Sequence, residues 1–136
     1  MGEIIENGSW AGFEVIYTYT RQQAIEDGIL IDLTSNFKNE TRMFKWPVAC
    51  TSAVWVLVEE AAEADCVELA VYVWDLSYLA LLAIKALRNS GNPELLFSVM
   101  LPLRDNIVPT QLKMVCGPAG PTDPSPCLTI MLPEED

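Results

Sequence analysis

With 136 residues, 51% of them apolar, the chain is long enough for one domain with a real core, and a disordered chain is excluded. Its net charge of −11 (8 basic and 19 acidic residues) argues against nonspecific binding to nucleic acid through phosphate neutralisation. It has no histidine, which excludes Ser-His-Asp and Cys-His catalysis, His-ligated zinc and imidazole proton shuttles.

Residues 1–12 carry glycines and glutamates with little periodicity and read as a loose lead, with Trp10 docked on the body. Residues 13–136 read as a single domain. Val15 to Tyr19 are β-branched or aromatic and suit a strand. Thr20 is an N-cap for a short helix over Arg21 to Asp27, and Gly28 is its stop. Ile29 to Leu33 is a second strand, interrupted by Asp32. Arg21 in the first turn and Glu26 and Asp27 in the last oppose the helix dipole, so these charges answer to tertiary partners. Either an Arg21–Asp32 or Arg21–Glu26 ion pair ties the helix down, or the charges form a recognition site.

Thr34 to Asn36 can cap a short helix from Phe37 to Phe44, which carries Lys38 and Arg42. Trp46 to Cys50 is extended, since Pro47 disfavours helix at Trp46. Thr51 or Ser52 caps a helix to Ala64, with Val54, Leu57, Val58 and Ala61 as its core stripe. A second long helix runs from Cys66 to Asn89. Tyr72, Leu76, Leu79, Ala80, Ala83 and Leu87 share one face, while Val71, Trp74, Tyr78 and Leu82 cover much of the rest. That predicts a central helix contacted from two sides. Val67 to Leu87 has the length of a membrane span, but Glu68, Asp75 and Lys85 interrupt it, so a buried helix of a soluble domain is expected. Leu95–Leu101, Leu112–Cys116 and Cys127–Leu132 read as strands. A turn lies over 102–106, and a long Gly/Pro loop over Gly117 to Pro126. The fold class is α+β: an antiparallel sheet from the first and last thirds, packed by two longer central helices and by short ones.

Cys50, Cys66, Cys116 and Cys127 show no C-x-x-C spacing, which argues against structural zinc. No signal-peptide pattern is present, so reduced cysteines and a cytoplasmic location are expected. Cys116 and Cys127 can face each other across a hairpin, which leaves a disulfide there open. The acidic pairs Glu26/Asp27, Glu59/Glu60 and Glu134/Glu135 fit no catalytic motif, and no catalytic residue is assigned. Glu134 to Asp136 with Asp123 offer oxygens but no glycine-punctuated Ca²⁺ loop, and the Gly117 loop leads into a strand without a basic residue. No metal or cofactor is expected.

Six acids, Glu59, Glu60, Glu63, Asp65, Glu68 and Asp75, follow one another with no base between them. Carboxylates at i and i+4 of a helix stand about 6 Å apart along its axis, the same order as the roughly 3.4 Å phosphate repeat of a DNA strand. The stretch is either a solubilising face or a partner surface, with Glu59, Glu60, Glu63, Asp65 and Glu68 as contacts. An alternative ligand site is Tyr19, Arg21, Asp27 and Asp32.

The blocks Y-T-R-Q-Q-A-I-E-D-G-I-L-I-D-L-T (19–34), W-P-V-A-C-T-S-A-V-W (46–55) and G-P-A-G-P-T-D-P-S-P-C-L-T-I-M-L-P-E-E-D (117–136) resemble a family of small acidic uncharacterised proteins carried by phages, plasmids and other mobile elements. The resemblance supplies no activity and no catalytic residue. It implies a context, in which small acidic proteins often act against host defence. The resulting expectation is a non-enzymatic anti-CRISPR or anti-restriction inhibitor in the cytoplasm of a host bacterium. It binds a basic surface of a host nucleoprotein complex, by nucleic-acid mimicry or another route, without contacting nucleic acid or membrane directly. The alternatives are an enzyme or nucleotide binder using the Tyr19/Arg21/Asp32 region, and a structural homo-oligomer using Trp10 and Trp46.

Overall fold

Thr20 opens the part of the chain that the computed structural model describes, residues 20–86, 94–103, 106–120 and 122–135. The expected lead with Trp10, the strand ending at Tyr19, the helix stop at Arg88 to Gly91 and the Arg104–Asp105 part of the turn lie outside the described residues. Thr20 caps helix α1 (Arg21–Glu26) through a reciprocal box. Its hydroxyl accepts the Gln23 amide at 3.1 Å, and the Gln23 side chain accepts the Thr20 amide at 2.9 Å. Gly28, at φ +79°, ends the turn in the left-handed region. Strand β1 (Leu30–Asp32) follows.

The next helix differs from the expectation. Asp32 caps α2 (Leu33–Asn36) by accepting the Ser35 amide at 3.1 Å, so the helix starts four residues early and residues 38–43 form turns. Thr34 is spent elsewhere: its hydroxyl accepts the Val48 amide at 2.7 Å and donates to the Val48 carbonyl at 3.3 Å. That pair fastens α2 to strand β2 (Val48–Thr51). Thr51 then caps α3 (Ser52–Asp65), and Cys66 ends it at φ 56°. Helix α4 (Leu69–Ala86) and strands β3 (Glu94–Leu103), β4 (Asn106–Gly120) and β5 (Asp123–Met131) complete the chain.

The fold is α+β, around a five-stranded sheet in the order β1-β2-β5-β4-β3. The sheet is mixed where an all-antiparallel one was expected, because β2 and β5 run parallel. They are joined through both long helices and a hairpin, a connection long enough to return the chain in the same direction. The expected Gly/Pro loop is instead an extension of the β4–β5 hairpin, with Gly117 opposite Cys127, Pro118 opposite Pro126 and Gly120 opposite Asp123. An irregularity between Pro118 and Gly120 takes up residues that cannot keep a regular ladder.

Ile31, Cys50, Ile130, Met114 and Leu95 form one row across all five strands and face α3 and α4. Val54, Val58 and Ala61 of α3 and Tyr72, Val73, Leu76 and Ala80 of α4 complete that core. The expected α3 stripe is buried apart from Leu57, which is partly covered. On α4 the correction is larger. Val71, Trp74, Tyr78 and Leu82 are exposed, so α4 is an outer helix beside α3 rather than a central one. By length and composition α4 is apolar enough to cross a membrane. Ser77 on its inner face is fully buried, and its hydroxyl has no partner among the described residues. Ser77→Ala removes a desolvated hydroxyl and gains helix propensity. It is expected to raise stability by about 1 kcal/mol, read as a higher urea midpoint at unchanged slope.

All four cysteines are free. Cys116 pairs with Leu128 and Gly117 with Cys127, so Cys116 and Cys127 sit one register step apart and point to opposite faces of the sheet. The disulfide left open by the sequence has no geometry to form there. Burial, helped by the charge of Glu135, pushes the Cys50 thiol up to about 12. Cys66 is exposed. Under native conditions at neutral pH a thiol reagent should label Cys66 rapidly, while Cys50 reacts only after unfolding, as site-resolved mass spectrometry would show.

Candidate functional site

Two surfaces carry the polar chemistry singled out in the sequence. The first is a cleft of about 400 Å³ between α1 and the tip of the β4–β5 hairpin, walled in part by Thr20, Arg21, Gln22, Asp32, Asp123 and Cys127. It brings Arg21 and Asp32 together. Asp27, the C-cap of α1, does not line it, and Tyr19 lies outside the described residues.

Arg21 does not use Glu26, which accepts from Gln22 instead at 3.2 Å. Its Nη1 donates to the Thr129 hydroxyl at 2.7 Å and its Nη2 to the Leu128 carbonyl at 2.6 Å. Burial lowers the Arg21 pKa, and the nearby Cys127 and Asp32 oppose that shift by their charge. The guanidinium stays protonated regardless, because arginine starts so high. The other polar walls are engaged too. Asp32 holds the Ser35 amide, and Asp123 holds the Ser125 amide at 3.0 Å. Hydrogen bonding to Ser125 lowers the Asp123 pKa. Carboxylates held this way make poor general bases, and none stands with a nucleophile and an orienting partner. Among the described residues no group of three or more Cys, Asp or Glu could hold a metal ion.

The second surface is the acidic stretch. Glu59, Glu60 and Glu63 are exposed on α3, and Asp65, Cys66 and Glu68 continue exposed into the connection to α4. These carboxylates make an acidic ridge only in the sense of a continuous run over the second half of α3 and its connection to α4; on the helix Glu59 and Glu63 share a face and Glu60 lies about 100° round from Glu59. They do not all play the same part. Asp65 accepts a hydrogen bond from the Tyr72 hydroxyl, which ties the end of α3 to α4. Burial, that bond and the charges of Asp65 and Asp75 push the Tyr72 hydroxyl up to about 12. Tyr72 therefore stays a donor across the physiological range, and Asp65 is a structural member of the ridge. Asp75 lies further along α4, half-buried, and burial raises its pKa.

A third polar cluster forms around Glu135, whose partners Thr51 and Lys113 the sequence did not point to. Glu135 folds back after β5. One of its carboxylate oxygens accepts the Thr51 hydroxyl and the Leu132 amide, each at 2.8 Å. Its carbonyl accepts from Lys113 at 2.5 Å. The sheet register brings Thr51, Met131 and Lys113 to one level of the face opposite α3 and α4, and no local pattern announces it. The expected acidic end is thus in part a clamp, with Lys113, nearly buried, beneath it.

These features define a small acidic α+β protein with a carboxylate ridge over the second half of α3 and its connection to α4, and a cleft whose polar walls are bonded within the fold. Over residues 6–136 the chain matches, and belongs to, a family described as a family of unknown function (DUF6573). No curated protein and no solved structure matches it.

Proposed function

We propose that this protein is a non-enzymatic inhibitor that docks its acidic ridge on a basic, nucleic-acid-binding surface of a host defence complex, a CRISPR effector or a restriction enzyme. The observation that carries the reading is the ridge. Glu59, Glu60, Glu63 and Glu68 are exposed, and the sequence offers no basic residue between Lys45 and Lys85 to neutralise them. A one-signed field of this kind steers a basic partner and falls with salt. The resemblance to proteins of mobile elements supplies the defence context. The cleft supports a nucleotide or enzyme reading less well, since Arg21, Asp32 and Asp123 are already bonded within the fold.

The test is a pulldown from a bacterial host bearing CRISPR and restriction systems, repeated with the triple variant Glu59→Lys, Glu60→Lys, Glu63→Lys. Recovery of a defence nuclease or effector by the wild type is expected, with affinity falling as salt rises. The triple variant should lose at least about tenfold in affinity, since charge pairs at a docked surface together exceed the roughly 1.4 kcal/mol that a factor of ten requires. Wild-type capture of no defence component, or equal capture by the variant at all salt concentrations, would sink the reading.

A further inference from the structure

We infer that the outer face of α4 is a self-association surface, on which a second copy of this chain packs its own α4 in antiparallel orientation. Val67, at the entry to the helix, and Val71, Trp74, Tyr78 and Leu82 along it are all exposed, between 39% and 47%. Their spacing of four, three, four and four residues keeps them on one stripe of a helix. Trp74 and Tyr78 stack at the centre, with ring centroids 5.0 Å apart and planes 13° apart. The stripe therefore presents a preformed aromatic plate with aliphatic residues at both ends.

Its ends also carry opposite charge. Exposed Glu68 stands at the start of the helix and exposed Lys85 in its last turn. A two-fold axis between Trp74 and Tyr78 sets Trp74 beside the second copy's Tyr78, Val71 beside its Leu82 and Glu68 beside its Lys85. The same register satisfies all three pairs to within one residue, as an isologous contact requires. A parallel pair would place like charges together at both ends. Asp75 lies about 60° round the helix from Tyr78, on the same side as Glu68, and the two-fold axis brings it near the second copy's Asp75, a like-charge pair that weakens the contact.

Magnitudes favour a reversible pair. The 18-residue helix is about 27 Å long and about 10 Å wide. That footprint is below the roughly 800 Å² per partner of a standard stable interface. Association should therefore depend on concentration. A lipid surface is the less favoured occupant, because a chain of net charge −11 is repelled by anionic headgroups. The inference does not rest on the defence reading, and its test leaves Glu59, Glu60 and Glu63 untouched.

The experiment is sedimentation equilibrium of the full chain from low micromolar to several hundred micromolar, with circular dichroism to confirm that each variant is folded. The wild-type mass should climb from one chain toward two. Trp74→Ser should weaken association about tenfold or more. Glu68→Lys or Lys85→Glu alone should weaken it about twofold to fivefold, and the double swap should recover most of that loss. A wild-type mass of one chain at every concentration overturns the inference. So does a double swap no better than the single variants, which removes the antiparallel register. Monomeric protein that co-floats with phosphatidylcholine vesicles also overturns it and gives the stripe to lipid.

Discussion

Arg21→Ala is expected to destabilise the protein by about 3 kcal/mol, the largest effect of any single polar substitution considered. The side chain crosses from α1 to β5 and donates two short hydrogen bonds, to Thr129 and to the Leu128 carbonyl. Hydrogen bonds from a charged donor contribute about 1.5–3 kcal/mol each. Burial of the guanidinium, visible as its lowered pKa, offsets part of that sum. The loss has a second part. α1 has six residues and one buried side chain, Ala24, so without Arg21 little holds it to the sheet beyond its cap. Arg21→Lys should recover less than half of the loss, because an ammonium cannot span the two acceptors as the planar fork does. Urea unfolding would check both values. A change below about 0.5 kcal/mol for Arg21→Ala would mean that α1 is held by other contacts. A full loss would make the block from Thr20 to Asp32 chiefly architectural.

That outcome bears on how far such a block can be read from sequence. The local chemistry of α1 was legible in part: Thr20 as cap and Gly28 as stop are decided within a few residues, while the return bond from Gln23 that closes the box appears only in the fold. The partner of Arg21 was not. Thr129 and Leu128 lie 108 and 107 residues away, and an arginine among nearby acids points to Asp32 or Glu26 instead. The same limit explains the sheet. Each strand has recognisable β-branched or aromatic content, but the parallel pairing of β2 with β5 is a non-local choice that composition does not encode. In the β4–β5 hairpin the Gly/Pro content read as a loop, yet Pro118 and Pro126 pair with each other across the two strands, and the ladder is irregular only between Pro118 and Gly120. For α4 the periodicity gave an apolar helix correctly. It could not say whether Trp74 and Tyr78 meet a second layer of this chain or solvent, since both need the same residue types. On the acidic ridge, charge and spacing marked every member, but only the fold separates Asp65, bonded to Tyr72, from the open carboxylates around it.

Glu135→Ala should cost about 2 kcal/mol, with Glu135→Gln costing about half as much. The alanine variant strips an acceptor from the Thr51 hydroxyl and the Leu132 amide together. A charged acceptor strengthens each bond, and partial burial limits replacement by water. Thr51 also caps α3, accepting the Val54 amide at 3.4 Å. By receiving the Thr51 proton, Glu135 orients the hydroxyl so that its lone pair faces the helix. Loss of the carboxylate therefore frees the cap to rotate, and the effect spreads from the segment after β5 to the start of a core helix. Glutamine keeps an oxygen acceptor but lacks the charge, hence the intermediate value. The coupling makes a sharper claim than either single variant. In a cycle of Thr51→Val and Glu135→Ala, the double variant should be about 1 kcal/mol more stable than the sum of the single losses predicts, because both remove the same bond. Strict additivity in urea unfolding would show that Thr51 caps α3 without help from Glu135. The clamp would then be reduced to the Leu132 turn and the Lys113 contact.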